Sequence, residues 1–413
     1  MRWKSKTVSV GGVKAVLLVL VMVVFFSGIA EASVGVIWTN TRTNDGMEYG
    51  DRWSYTHQLR PANVYGSGGP VDTAQAHAVY WISATGALYK SLGDYGFGTS
   101  IYIFPPASGM APTLRKGACL SWDGNVPGYW SGEQYNLRRP YLVLAGGVDA
   151  QGYSSGEVNV FQFSGGTGYY QGSWIAKLFL STPVSYPSCG RLTMRAVTNP
   201  SADRIGIVVF GGSYGGVPQG TLQIVKTNQY AAFGIESYNL GSVLGPRWGA
   251  AIVDQQMWGY PSGSNNNWYI WGGTGDTGAR QSWVDWLSVS CTTYSQNGAV
   301  PSGMALPAST WSYNAANGRT VMLVYGGRIG ATYYSFMWYA EMDDANDRFT
   351  WTFLPAAVIP AARAAATLYC HEWAWDTCNL PNTATHPQGL YHMSGGFAGV
   401  TQYRDVWRAT THL

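Results

Sequence analysis

Three of the six histidines, His371, His386 and His392, fall within 22 residues, with Glu372 and Asp376 among them. Imidazoles and carboxylates are the ligands that Zn²⁺ or another transition metal takes, so His371, Glu372 and His386 form the candidate metal-binding set. The helical His-Glu-x-x-His spacing is absent, and a solvated loop explains the same composition. Gly211-Gly212-Ser213-Tyr214-Gly215 fits the Gly-x-Ser-x-Gly pattern of a nucleophile elbow, which needs a strand before it and a helix after it. A strand pattern precedes Ser213, but the run from Val217 to Ile224 continues as loop and strand. The stretch from Gly273 through Gly275 to Gly278 spells a dinucleotide fingerprint, whose grip on phosphate depends on a helix N-terminus. The strand pattern Trp283-Val-Asp-Trp-Leu follows instead. Glu341, Asp343, Asp344, Asn346 and Asp347 offer oxygens of the kind Ca²⁺ takes, without the EF-hand glycine and distal glutamate. Asp and Asn are also ordinary turn formers, and a turn is the expectation. No catalytic residue is assigned, and no cofactor is expected.

The glycines of those two motifs belong to something larger. Five times a short apolar run ends in a glycine pair: Gly146-Gly147, Gly211-Gly212, Gly272-Gly273, Gly326-Gly327 and Gly395-Gly396. The second glycines are 65, 61, 54 and 69 residues apart, a period that signals a repeat architecture. The runs are rich in Val, Ile, Tyr and Trp and too brief for helices, so they read as buried strands. Two glycines after such a strand permit positive φ and close backbone approach. A strand opening on a small or basic residue precedes most pairs, as at Arg115, Arg247 and Arg363. Aromatic strands follow, among them Asp405-Val406-Trp407 and Phe349-Thr-Trp351. Four short strands per unit is the plan of a propeller blade.

This order of Arg-x-Gly strand, Gly-Gly strand, Asp-Val-Trp strand and Trp strand resembles the kelch repeat, over nearly all of the chain after the first ~50 residues. The resemblance implies an all-β, six-bladed propeller of four-stranded antiparallel blades. A degenerate first blade has Gly93-Asp94 where the pair should stand. The last unit reaches only its third strand before Leu413, so a strand within residues ~50–60, Arg52 to His57, is expected to complete it and close the ring. Val34 to Trp38 as one more strand would raise the count to seven blades. Secreted copper-radical oxidases also resemble this architecture, but their set of tyrosine, histidine and cysteine cross-linked to tyrosine finds no match here.

Residues 1–32 have a basic start (Arg2, Lys4, Lys6, Lys14), an apolar run from Ala15 to Phe26 and small residues at Ala30 and Ala32, the pattern of a cleaved signal peptide. Four of the 25 basic and one of the 22 acidic residues lie there, so residues 33–413 carry 21 of each. That balance recommends neither nucleic acid nor an anionic membrane as partner, and no stable membrane span is expected after cleavage. Residues 33–413 read as one propeller domain, secreted or extracellular (periplasmic or at the cell surface in a bacterium). Of the five cysteines, Cys370 and Cys378 bracket a short loop and are the expected disulfide; Cys119, Cys189 and Cys291 have no evident partner by spacing.

Function is therefore expected in the long insertions, Ser121 to Arg139, Gln255 to Asn267 and Cys370 to Gln388, where Trp122, Tyr129, Trp130, Trp373 and Trp375 suit sugar stacking or a protein hot spot. The expected partner is an extracellular protein or glycan. Two rival readings are an extracellular carbohydrate-active or oxidoreductase enzyme and a structural component of a surface assembly. Convergent acids, histidines or arginines in a central channel would favour the enzyme; a lining of Gly, Ala and hydroxyls would count against it.

Overall fold

A computed structural model describes residues 35–42, 54–55, 78–82, 88–92, 101–104, 110–123, 141–163, 172–194, 204–227, 233–239, 245–254, 267–273, 278–283, 289–314, 319–370, 390–403 and 405–412. Among these every regular element is a strand, and the strands form small antiparallel sheets in a propeller arrangement. The apolar runs before the glycine pairs are second strands in their sheets and are buried on both faces, as at Leu142, Val208, Ile270 and Leu323. Continuous hydrophobicity is what such a position demands.

Each sheet is most simply named by the first residue of its innermost strand. The Ser54 unit runs Ser54–Tyr55, Ala78–Ile82, Leu88–Leu92, Ile101–Phe104. The Cys119 unit runs Cys119–Asp123, Tyr141–Ala145, Glu157–Phe163, Gly172–Phe179, and the Ser188 unit runs Ser188–Met194, Arg204–Phe210, Thr221–Thr227, Phe233–Asn239. The Ala364 unit pairs Ala364–Cys370 with Leu390–Ala398 and then Val406–His412. These four stand as separate blades, in place of six or seven. The remaining strands share one eight-stranded sheet with two antiparallel halves, an Ala251 half and an Ala308 half. The halves are joined because the strand Val289–Gly298 runs on beyond its own sheet, and Ser295 to Gly298 pair in parallel with Arg348 to Trp351. Trp351 seals the seam by donating from Nε1 to Gln296 Oε1 at 2.6 Å.

The last blade is completed by an N-terminal strand, but from a different segment than expected. Gly35–Arg42 pairs antiparallel with Val406–His412, from Gly35 opposite His412 to Arg42 opposite Val406. Of the segment Arg52 to His57 only Ser54 and Tyr55 are described, and they pair with Ile82 and Trp81 inside the first blade. Alternation explains the docking of the closing strand: Val36 and Trp38 are buried, with Trp38 edge-on to Tyr325 at 5.2 Å, whereas Ile37 between them is 60% exposed. Val36 N–H also reaches Pro355 O of the neighbouring unit at 3.1 Å.

Two sets of backbone contacts weld the units together. In four of the five pairs the second glycine donates its N–H to a carbonyl of the next unit: Gly147 to Val184 at 2.8 Å, Gly212 to Arg247 at 2.9 Å, Gly273 to Met304 at 2.7 Å and Gly327 to Arg363 at 2.8 Å. The first glycine lies flat against the same carbonyl, so a Cβ on Gly146 would sit 2.6 Å from Val184 O and one on Gly272 2.8 Å from Met304 O. Two residues after each such carbonyl comes a residue with left-handed backbone: Tyr186 (φ 53°), Gly249 (φ 60°), Leu306 (φ 56°) and Ala365 (φ 53°), matched in the Cys119 unit by Gly117 (φ 58°). These five form a belt, with Tyr186 N–H on Gly117 O at 2.8 Å, Gly249 on Tyr186 at 2.9 Å, Leu306 on Gly249 at 2.6 Å and Ala365 on Leu306 at 2.8 Å. Members of the belt alternate in size, and the Tyr186 ring covers Gly117 while the Leu306 side chain covers Gly249.

Beside the belt, Cys119 and Cys189 form a disulfide across the innermost strands of two neighbouring units. Their separation of 70 residues is one repeat, so the ring brings equivalent strands side by side. Spacing along the chain left the pairing of these two open, and the ring supplies it; Cys378 lies outside the described residues, and the Cys370–Cys378 pairing with it.

Gly211→Ala should destabilise by about 2 kcal/mol or more, since an Ala methyl must enter the left-handed region and strike Arg247 O. Gly215→Ala, at φ 57° in open space, should cost only about 1 kcal/mol, and thermal melts of the two variants check the difference. Non-reducing peptide mapping should recover Cys119 linked to Cys189, and removing the bridge should cost about 2–4 kcal/mol.

Candidate functional site

The innermost strands surround a central channel. Its wall is contributed by Ala118–Leu120, Pro187–Cys189, Gly249, Ala250 and Ile252, Leu306, Pro307 and Ser309, and Ala365–Leu368. Small and apolar side chains dominate, with hydroxyls from Ser188, Ser309 and Thr367. Ser188 donates to Ala250 O at 2.6 Å, whereas the buried Thr367 Oγ1 has no hydrogen-bond partner among the described residues. No acid, histidine or arginine lines this channel among the described residues.

Charge is instead locked inside the sheets. Arg363 is fully buried and grips Asp405 through both guanidinium ends, with Nη2 on Oδ2 at 2.8 Å, while Nη1 also donates to Gly395 O at 3.0 Å. Burial pushes the Asp405 carboxyl up, but the hydrogen bonds and charge of Arg363, helped by Trp407 Nε1, outweigh it and hold the carboxyl below the usual range. Arg247 stacks its guanidinium under the next turn, donating to Gly272 O at 3.1 Å. In the Cys119 unit Arg115 binds Glu157 Oε1 at 2.9 Å and Asn159 Oδ1 at 2.7 Å. Here too burial raises the Glu157 carboxyl, and the Thr113 hydroxyl at 2.6 Å, the Thr113 N–H and the Arg115 charge overcome it, bringing the group to about 2. The residue types at Arg115, Arg247 and Arg363 were legible in the sequence, but Glu157 was not singled out, because it lies 42 residues from Arg115.

Two long-range features separate the two rims. The glycine pairs and the belt occupy one rim. The flanking strand ends of the long insertions, Asp123 and Tyr141, Asp254 and Asn267, Cys370 and Leu390, lie at the other, because in all three the insertion joins an innermost strand to its second strand. Trp122 sits in the innermost strand, opposite Leu142. Tyr129, Trp130, Trp373 and Trp375 lie outside the described residues, as do His371, Glu372, Asp376 and His386. His392 is buried within the strand Leu390–Ala398, opposite Tyr369 and Arg408. Among the described residues no three His, Cys, Asp or Glu side chains gather as metal ligands.

The competing motifs resolve into scaffold. Ser213 is buried in a two-stranded hairpin with no helix after it, and its backbone exchanges hydrogen bonds with Ser185. Gly278 opens a strand, not a helix. Residues 344–347 form a turn between Met337–Asp343 and Arg348–Leu354. In it Asp343 takes Asn346 and Arg348, while Asp344 accepts the hydroxyls of Tyr269 and Tyr294 from the preceding half-sheet at 2.9 and 2.7 Å.

No protein-family model matches this chain. No curated protein matches it in sequence either. Among solved structures it is similar to a chain of a RAG complex with one melted and one unmelted RSS (TM-score 0.48, 9% identity, covering 90% of this chain and 99% of that one). It is also similar to a fungal alcohol oxidase of the AA5 family in complex with copper (TM-score 0.44, 11% identity, 86% and 76%) and to a GH43 β-1,3-galactosidase (TM-score 0.39, 10% identity, 76% and 63%). Likeness at this level carries no chemistry from those proteins to this one, and the fold rests on the strand pairing itself.

Glu157 yields a pH signature. Its folded value lies below the unfolded one, so its stabilisation is complete above about pH 4.5 and is lost as pH falls towards 2. Melting curves should show about 3 kcal/mol of stability disappearing over that window in the parent and a flatter profile in Glu157→Gln, which is less stable at neutral pH.

Proposed function

We propose that this chain is a secreted kelch-type propeller that binds an extracellular protein or glycan through its insertion rim. The Gly-Gly clasps and the Arg363–Asp405–Trp407 set support the kelch reading. The Cys119–Cys189 bridge suits an oxidising compartment and agrees with a leader in residues 1–32.

One observation carries the binding reading: three insertions between residues 121 and 388 occupy the same connection in three units and so open on a single rim. A rigid ring presenting variable segments from one face is how loops on a fixed scaffold serve recognition. The channel wall of Ala, Gly, Pro and hydroxyl residues gives an enzyme little to work with, since acid–base catalysis needs titratable groups within hydrogen-bond reach of substrate.

The test is a glycan array and a cell-surface pull-down with the chain from Ser33 onward. Replacing residues 124–140, 255–266 and 371–389 by short Gly-Ser turns should abolish the retained partner and leave the melting temperature within a few degrees. Retention of the partner by the triply replaced protein would overturn the reading.

A further inference from the structure

The central channel holds a cavity of about 130 Å³ with two kinds of surface. It reaches from the belt at Gly249, Leu306 and Ala365 to the residues three positions further along, Ile252, Ser309 and Leu368. Each innermost strand is an edge of its sheet, and an edge strand directs alternate N–H and C=O groups away from its neighbours, here towards the axis. Leu120, Ile252, Leu306 and Leu368 are apolar, whereas Ser188, Ser309 and Thr367 bring hydroxyls from three separate units.

Thr367 is the informative residue. It is only 4% exposed, and its Oγ1 meets no hydrogen-bond partner among the described residues. Ser188 is also buried, but its hydroxyl donates to Ala250 O at 2.6 Å. A buried hydroxyl without a partner destabilises a fold, and a valine has the same branched shape without that penalty. A hydroxyl kept in such a place, on the wall of a cavity, points to a partner that enters the cavity.

Three properties of the wall define that partner. Its size is limited, because an apolar cavity of about 150 Å³ takes up benzene, so this one suits roughly six to eight non-hydrogen atoms. Its charge is zero, because no ionisable side chain lines the cavity among the described residues and an ion would lose its water with nothing to balance it. Its polarity is mixed: hydroxyls at three points with leucines between them match a short carbon chain bearing several OH groups. Such a molecule hydrogen-bonds to the wall as water does, and its C–H groups also cover apolar surface that water leaves wet.

We infer that the channel binds a small neutral polyol of the size of glycerol or erythritol, with Thr367 Oγ1 hydrogen-bonded to one of its hydroxyls and the Ser309 hydroxyl to another. A pyranose ring with its substituents is about twice the size that the wall encloses, so the ligand is a free polyol and not the end of a glycan.

Saturation-transfer NMR and calorimetry test this on the chain from Ser33 onward, with glycerol, erythritol, propan-1-ol, glycerate and methyl glucoside as probes. Glycerol or erythritol should bind saturably, and the other three at least about tenfold more weakly. Thr367→Val and Ser309→Ala should each weaken polyol binding about fivefold, the worth of one neutral hydrogen bond. The melting temperature of Thr367→Val should equal or exceed that of the parent, since the hydroxyl has no partner in the fold. Because Cys119 and Cys189 both line the cavity, bound polyol should also slow chemical reduction of their bridge. Five results would each overturn the inference: no saturable polyol binding, equal binding of propan-1-ol, unchanged affinity in Thr367→Val or in Ser309→Ala, a melting temperature of Thr367→Val several degrees below the parent, or bridge reduction indifferent to the polyol. Replacing the three insertions leaves the channel wall untouched, so polyol binding separates from the outcome at the insertion rim.

Discussion

Everything in this ring hangs on a backbone contact that tolerates no side chain. At four junctions a glycine pair presses onto one carbonyl of the next unit, the first glycine in contact and the second donating its N–H. Any β-carbon on the first glycine would meet that oxygen inside van der Waals distance. The same carbonyl lies two residues ahead of the belt, so one docking event sets both the clasp and the hydrogen bond around the channel. Neighbouring sheets are thereby held near enough for their second strands to pack dry, as the buried clusters around Val143 and Val209, or Tyr269 and Met322, show.

This geometry also explains where charge can reside. A buried guanidinium needs several acceptors at fixed positions. The clasp supplies one as a backbone carbonyl, as Gly272 O for Arg247 and Gly395 O for Arg363, and the third strand supplies a carboxylate in Asp405 or Glu157. Where Val184 and Met304 occupy the same offset the junction is apolar. The two kinds of junction alternate with the size of the belt residue, small at Gly117, Gly249 and Ala365, large at Tyr186 and Leu306. Two successive units therefore interlock as knob and hole, with the Tyr186 ring over Gly117 of the preceding unit and the Leu306 side chain over Gly249.

Much of the fold was legible because its signals are local. Positive φ without a Cβ is a property of two adjacent glycines, and burial on both faces is a property of five adjacent residues. Errors arose wherever the deciding contact was remote. Arg52 to His57 and Gly35 to Arg42 both carry a strand pattern with a tryptophan, and only the register against Val406–His412 and the shared burial of Val36 and Trp38 separate them. Cys370 and Cys378 are close in the chain, but Cys119 and Cys189 are close in the ring. The separation into six independent sheets failed because Val289–Gly298 is long enough to reach a neighbour, something its composition does not announce.

The amino-acid sequence by itself determined the repeat, the all-β character and the turns that the glycine pairs make, and it discounted Ser213 and Gly278 as catalytic elements. Each of these depends on residues adjacent along the chain. Tertiary structure alone decided which N-terminal strand completes the last blade, which cysteines join, which acid balances Arg115, and that Arg328 lies over Trp248. These depend on residues tens to hundreds of positions apart, and their separation in space is set by how closely the glycine pairs let one unit approach the next.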